Sequence, residues 1–206
     1  MKPATSWEWQ KEKLRERGLQ FTYDNRCIQF LQQVTYYSLT AYLLPFKIKE
    51  PKEHYLPGTT LEQVIAIYDF DKELRAFLFS IIEEIEVYSR TQIAYYIANE
   101  TGPLFYLCQL IYKPTHDLER FLGLVKKAVK SHEHTLVVQK YIRESAFPIW
   151  VIVEFFSIGM LSKFYGSLTS EHQKNISKSM FSVNVPPKVL SNWFICITNL
   201  RNRCAH

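Results

Sequence analysis

Glycine is scarce, with six residues in 206, and no two of them are adjacent. A glycine-rich phosphate cradle is therefore excluded, and no G-x-S-x-G elbow occurs either. Strand-type alternation of apolar and polar residues is also scarce, so no sheet is expected. The four cysteines, Cys27, Cys108, Cys196 and Cys204, form no C-x-x-C pair and have no histidine at zinc spacing. That excludes a zinc finger and points to a reducing, cytoplasmic setting. Cys196 and Cys204 lie on a helical pattern and read as small apolar packing residues. No cluster of carboxylates suits a divalent ion, so neither metal nor cofactor is expected. Pro148 to Leu161, the longest apolar stretch, is interrupted by Glu154 and is too short to span a bilayer. The amino-terminal segment WEWQKEKLRERGL is charged and has no leader core. No membrane association is expected.

Apolar and aromatic residues are abundant, at 47% and 15% of the chain, ample for a buried core. The periodicity predicts an all-α bundle of six to nine helices. Residues 1–20 read as a mobile arm or a short helix ending at Gly18, and residues 21–206 as one helical domain. Helices are predicted from about Asp24 to Leu44, from Thr59 to Asn99 with a break near Asp69–Asp71, and from Lys72 as the central helix of the bundle. Thr60 with Glu62 and Gln63 is placed for a capping box. Further helices are expected over 116–131, 133–144, 148–165 (stopped by Gly166), 170–181 (capped by Ser170 with Gln173) and from Pro187 onward. The segment 46–58 reads as a loop.

The net charge is +5, and it is uneven. Arg120, Lys126, Lys127, Lys130, Lys140 and Arg143 are offset only by Glu133 within their segment, and Lys163, Lys174, Lys178, Lys188, Arg201 and Arg203 only by Glu171. Both segments fit either a face for phosphate backbone or ordinary solvated helix surface. His116, His132 and His134 sit near helix ends without cysteine or paired carboxylate and read as surface residues. On the central helix Glu83, Glu86 and Arg90 fall on one stripe, with Glu86 and Arg90 correctly oriented for an i,i+4 ion pair. That stripe is either solvated or turned toward the last helix.

Dense chemistry is confined to the end of the chain, Arg201-Asn202-Arg203-Cys204-Ala205-His206. Val189, Leu190, Trp193, Phe194, Ile195, Ile197 and Leu200 lead into it at helical spacing. Imidazole exchanges a proton near neutral pH, and a guanidinium holds phosphate oxygens bidentately. Together they suit attack of an RNA 2′-hydroxyl on its own phosphate without a metal. Asn202 and His206 share a face, whereas Arg201 and His206 lie about 140° apart on an ideal helix. The two converge if the arginine wraps round, or if two such helices cross and each supplies half of a site. The bland reading is a basic helix end that complements the helix dipole.

RNRCAH resembles the R-x4-6-H signature of the HEPN ribonucleases. Upstream, in order, stand Tyr36-Tyr37-Ser38-Leu39-Thr40-Ala41-Tyr42 with Pro45-Phe46; Gly58-Thr59-Thr60; Ala66-Ile67-Tyr68-Asp69-Phe70-Asp71-Lys72-Glu73-Leu74-Arg75; Ile85-Glu86-Val87 with Arg90-Thr91; and Pro148-Ile149-Trp150-Val151 with Glu154. This ordered set resembles the Abi-like abortive-infection proteins of the AbiD/AbiF type over about residues 20–206. The resemblance implies a HEPN-type bundle with added helices and an endoribonuclease toxin of an antiphage system. It further implies Arg201 and His206 as catalytic residues and Asn202, Glu86 and Arg90 in support. Arg203, Lys188, Lys126, Lys127 and Lys130 would contact RNA, a small non-coding RNA would act as antitoxin, and the chain would form a homodimer. Ser38 departs from the arginine often found there. The family usually continues past the histidine, so either the chain is truncated at His206 or the active helix lacks its usual support. The rival reading is a non-catalytic RNA- or protein-binding helical module in which the RNRCAH helix serves dimerisation.

Overall fold

The computed structural model describes residues 3–48, 53–144 and 147–205. Ten α-helices and one antiparallel pair of two-residue strands occur among them, so the chain is all-α in class. Two compact units divide the chain, one up to Ala76 and one from Phe77 onward.

The first unit opens with α1 (Trp7–Glu16), capped by Ser6, whose hydroxyl accepts from the Trp9 amide at 3.2 Å. Gly18 then takes φ +90°, a conformation open to glycine at little cost, and the helix stops. Next come α2 (Asp24–Gln33) and α3 (Tyr36–Tyr42), where a single helix was expected. The break has a local cause. Val34 is extended and buried, and the Thr35 hydroxyl caps α3 by accepting from the Ser38 amide at 3.2 Å. The expected loop 46–58 contains the paired strands β1 (Lys47–Ile48) and β2 (His54–Tyr55), with Lys47 opposite Tyr55 and Ile48 opposite His54. Leu14, Leu19, Cys27, Phe30, Leu31, Leu39, Leu43 and Leu61 form this unit's core.

Helix α4 (Leu61–Glu100) starts on a reciprocal capping box. The Thr60 amide donates to Gln63 Oε1 at 3.0 Å and the Gln63 amide to Thr60 Oγ1 at 3.2 Å. No break occurs at Asp69–Asp71. The Asp71 carboxylate accepts from Tyr42 Oη at 2.7 Å and Arg75 Nε at 2.9 Å, so it does not compete for the helix backbone.

In the second unit α4 is followed by 3-10 turns at Phe105–Leu107 and Gln109–Ile111, then α5 (Leu118–Ser131) and α6 (Leu136–Glu144). The helix expected over 148–165 is divided. It consists of α7 (Ile149–Ile152), a 3-10 turn at Val153–Phe155, and α8 (Ile158–Ser167), whose cap Ser157 accepts from the Met160 amide at 3.3 Å. Gly166 lies inside α8 and does not stop it. Helices α9 (Ser170–Met180) and α10 (Pro187–Ala205) complete the chain. The core gathers Ile93, Ile97, Phe121, Ile152, Phe156, Leu161, Phe164, Tyr165, Leu190 and Phe194.

Five side-chain hydrogen bonds frame α9 and the approach to α10. Thr169, not Ser170, caps α9, and Gln173 turns inward instead of closing a capping box. Its Nε2 donates to the Tyr165 carbonyl at 2.8 Å and the Gly166 carbonyl at 3.0 Å, while Tyr165 Oη donates back to the Gln173 carbonyl at 3.0 Å. Ser177 Oγ donates to the Val185 carbonyl at 2.6 Å, and Tyr88 Oη to the Met180 carbonyl at 2.8 Å. Of the histidines read as surface residues, His116 is half-buried, stacked on Tyr112 with ring centres 4.4 Å apart, and burial lowers its pKa from the ordinary value.

Replacing Gln173 by alanine removes one donor from each of two carbonyls in a buried corner, leaving Tyr165 to the Leu168 amide and Gly166 to Lys113 Nζ. The expected loss is about 2 kcal/mol of stability, read as a drop of several degrees in the thermal unfolding midpoint.

Candidate functional site

Helix α10 presents two stripes. Leu190, Phe194, Ile197, Arg201 and Cys204 recur at alternating four- and three-residue steps and stay within about 80° of one another. Leu190, Phe194 and Cys204 are buried, and Ile197 packs against the same core. Arg201 is the one charged residue of this inward seam, and it is half-buried. The outward stripe carries Val189, Trp193, Cys196, Leu200 and Arg203, all exposed. Cys196 is thus on the outside, contrary to its expected packing role, whereas Cys204 is buried.

Helix α4 carries a matching irregularity. Ile82, Ser89, Ile93 and Ile97 are buried on its inward stripe, and Glu86 occupies the same stripe with Arg90 on its flank. Glu86 and Arg90 form an i,i+4 ion pair with side chains only 15% and 18% exposed. Arg90 also donates from Nε and Nη2 to the Phe156 carbonyl, at 3.0 and 2.6 Å. Charge-assisted bonds of this kind are among the stronger ones in proteins.

The charged seam positions meet in a cleft of about 210 Å³ lined by Arg201 from α10 and by Phe79, Ile82, Glu83, Glu86, Val87 and Arg90 from α4. The Arg201 guanidinium carbon lies 5.5 Å from the centre of the Phe79 ring, a cation–π contact. Among the described residues no carboxylate comes within ion-pair distance of Arg201. Glu86 is neutralised by Arg90, so a guanidinium without a carboxylate partner stands at the mouth of a partly apolar cleft. Such a group suits an oxyanion.

Of the other expected site residues, Asn202 and Arg203 are exposed and do not line this cleft. His206 lies outside the described residues. Lys188, in the first turn of α10, precedes Arg201 by thirteen residues, about 20 Å along the helix. Lys126, Lys127 and Lys130 of α5 do not line the cleft, and two of them, Lys126 and Lys130, edge a different cavity. That Glu83, Glu86 and Arg90 share one stripe was readable in advance; that the stripe lines a cleft with Arg201, and the parts of the Phe79 ring and the Phe156 carbonyl, were not. The signal for Arg201 was its place on an otherwise apolar seam. No group of three or more His, Cys, Asp or Glu among the described residues is placed to hold a metal ion. No helix among them is long and apolar enough to cross a membrane.

The family model described as Abi-like protein matches residues 29–206. The chain belongs to the Abi-like protein family. The match spans most of the first unit and all of the second, including both helices that form the cleft. No curated protein and no solved structure matches the chain. As a member of the Abi-like family it falls among the abortive-infection proteins.

The cleft predicts an asymmetry between its charges. Arg90→Ala leaves Glu86 largely buried without its partner and frees the Phe156 carbonyl, at an expected cost of about 3 kcal/mol. Arg201→Ala removes one half-exposed cation–π contact and should cost no more than about 1 kcal/mol. Urea denaturation of the two variants measures the difference.

Proposed function

We propose that this Abi-like protein is a metal-independent endoribonuclease, the toxin of an abortive-infection system, working from Arg201 and His206. The observation that carries the reading is Arg201, on the inward seam of α10 and, among the described residues, without a carboxylate within ion-pair distance, facing a cleft whose other charges come from Glu83 and the Glu86–Arg90 pair. The likeness of RNRCAH to the HEPN ribonuclease signature supports it.

In this reading the His206 imidazole takes the proton of an RNA 2′-hydroxyl, and the freed oxygen attacks the adjacent phosphorus. The P–O5′ bond breaks as the leaving 5′-oxygen takes a proton from water, giving a 2′,3′-cyclic phosphate and a 5′-hydroxyl, and His206 returns its proton to the solvent. Arg201 balances the charge that builds on the phosphoryl oxygens. Glu86 and Arg90 act as positioning residues: they hold the α4 wall of the cleft, and the pair keeps the Glu86 carboxylate from repelling phosphate. Arg203 and Lys188, on the exposed side of α10, would lie along the RNA path.

A homodimer completes the proposal. Arg201 and His206 diverge by about 140° on an ideal helix, and a two-fold axis beside α10 would bring each half-set against its mate. Val189, Trp193 and Leu200 leave 37%, 44% and 38% of their surface exposed on the outer stripe, which a second copy would cover. That stripe also favours the second reading, a helical module in which α10 serves dimerisation alone. A small non-coding RNA restraining the toxin would be a further partner.

The test incubates the purified protein with labelled single-stranded RNA in EDTA. Cleavage should persist and leave a 2′,3′-cyclic phosphate. His206→Ala should lower the rate by about 10²-fold or more, and Arg201→Lys by about 10²-fold, since a point charge does not replace the planar fork. A strict metal requirement, 5′-phosphate products or an active His206→Ala protein would overturn the reading. Mixing Arg201→Ala with His206→Ala protein should restore partial activity if the two residues act from opposite subunits. Dimers that stay inactive on mixing would leave the dimer standing and remove the shared site.

A further inference from the structure

A second cavity of the second unit shares no lining residue with the Arg201 cleft. Its volume, about 560 Å³, falls in the range that holds a small organic ligand. The walls are hydrocarbon: Leu104 and Leu107 from the turns after α4, Val125 and Val129 from α5, Ile142 from α6 and Ile152 from α7. Leu104, Leu107 and Ile142 keep 40%, 47% and 48% of their surface exposed, so among the described residues this apolar surface has no full cover. The nearby polar groups are already satisfied. Tyr106 Oη donates to the Phe147 carbonyl at 2.8 Å, and Tyr112 Oη to the Tyr106 carbonyl at 2.7 Å.

Charge is confined to three lining residues, Lys126, Lys130 and Glu133. The lysines are one helical turn apart on the exposed flank of the α5 apolar stripe, and among the described residues neither has a carboxylate within ion-pair distance. Glu133 lies 3.6 Å from His134 Nε2. The three charges sum to +1, which one monoanion neutralises.

We propose that this cavity binds a long-chain acyl carboxylate. The tail lies against α5, α6 and α7, and the carboxylate is held between Lys126 and Lys130. A nucleic acid fits these walls poorly, because apart from the charged residues at the edge they are mostly hydrocarbon, and Tyr106, 3% exposed, presents no open plane for base stacking. The hydrocarbon interior favours a tail, and the unpaired lysines at its edge favour an anionic head over a neutral or cationic one.

The experiment titrates the full chain with dodecanoate below its micelle concentration, using calorimetry, with dodecyltrimethylammonium as the cationic counterpart. Saturable one-site binding of dodecanoate, and none of the cationic amphiphile, is expected. The double variant Lys126→Glu/Lys130→Glu should bind dodecanoate at least about tenfold more weakly, while Lys140→Glu, the same charge change elsewhere, binds as the parent does. Leu107→Trp should fill the mouth and abolish binding; circular dichroism verifies its fold, and Ile142→Trp replaces it should it not fold. Absence of saturation, equal binding of both amphiphiles, or unchanged affinity in either the charge-reversed or the filled variant overturns the proposal. RNA cleavage by the same preparations is scored separately, so failure of this site and failure of the ribonuclease reading stay distinguishable.

Discussion

Arg90 ties the middle of α4 to the corner that leads into α8. Its guanidinium meets a carbonyl that belongs to a fully buried residue, Phe156, and a carboxylate on its own helix, Glu86. Each of these groups would be costly to bury alone. Together they satisfy one another, so two charges sit within an apolar interior. Phe156 in turn packs edge-on against Phe121 and Phe164. One residue therefore belongs to both the aromatic core and the polar clamp, and displacing α4 would disturb both.

The position of α10 follows from that frame. Helix α8 is its main neighbour, and the Gln173 and Ser177 bonds fix the corners on either side of α9 from which it departs. Phe194 stacks edge-on against the buried Tyr165 of α8. With Leu190 and Phe194 anchored, helical geometry alone carries Arg201 round to the α4 wall. The outer stripe is left with Val189, Trp193 and Leu200 half-covered, an apolar surface of the kind that the proposed homodimer would bury. One helix thus turns a seam bearing Arg201 toward the cleft and leaves an apolar outer seam exposed.

Much of this was readable from local rules. The Thr60–Gln63 capping box, the Gly18 stop, the Glu86–Arg90 pair and the all-α class each depend on residues within a few positions of one another. Other readings failed where distant partners decide. Asp69–Asp71 suggested a helix break, yet Tyr42 and Arg75 occupy the Asp71 carboxylate. Gln173 fitted a capping box, yet two carbonyls of α8 claim its amide. The stretch from Pro148 to Tyr165 reads as one apolar helix, but the chain turns at Val153–Phe155 so that Ile152 and Phe156 both enter the core.

By itself the sequence determined the helical class, most helix starts, the family and the place of Arg201 on the last helix. These follow from periodicity, capping and residue order, all short-range properties of the chain. Only the tertiary structure decided that Arg201 faces inward while Asn202 and Arg203 face out, and that Glu86 and Arg90 line the same cleft as Arg201. Periodicity shows that residues share a stripe, but which stripe is buried depends on what packs against it. Here that is chiefly α8, where Phe194 meets Tyr165, and the α4 residues that line the cleft with Arg201 come from far earlier in the chain.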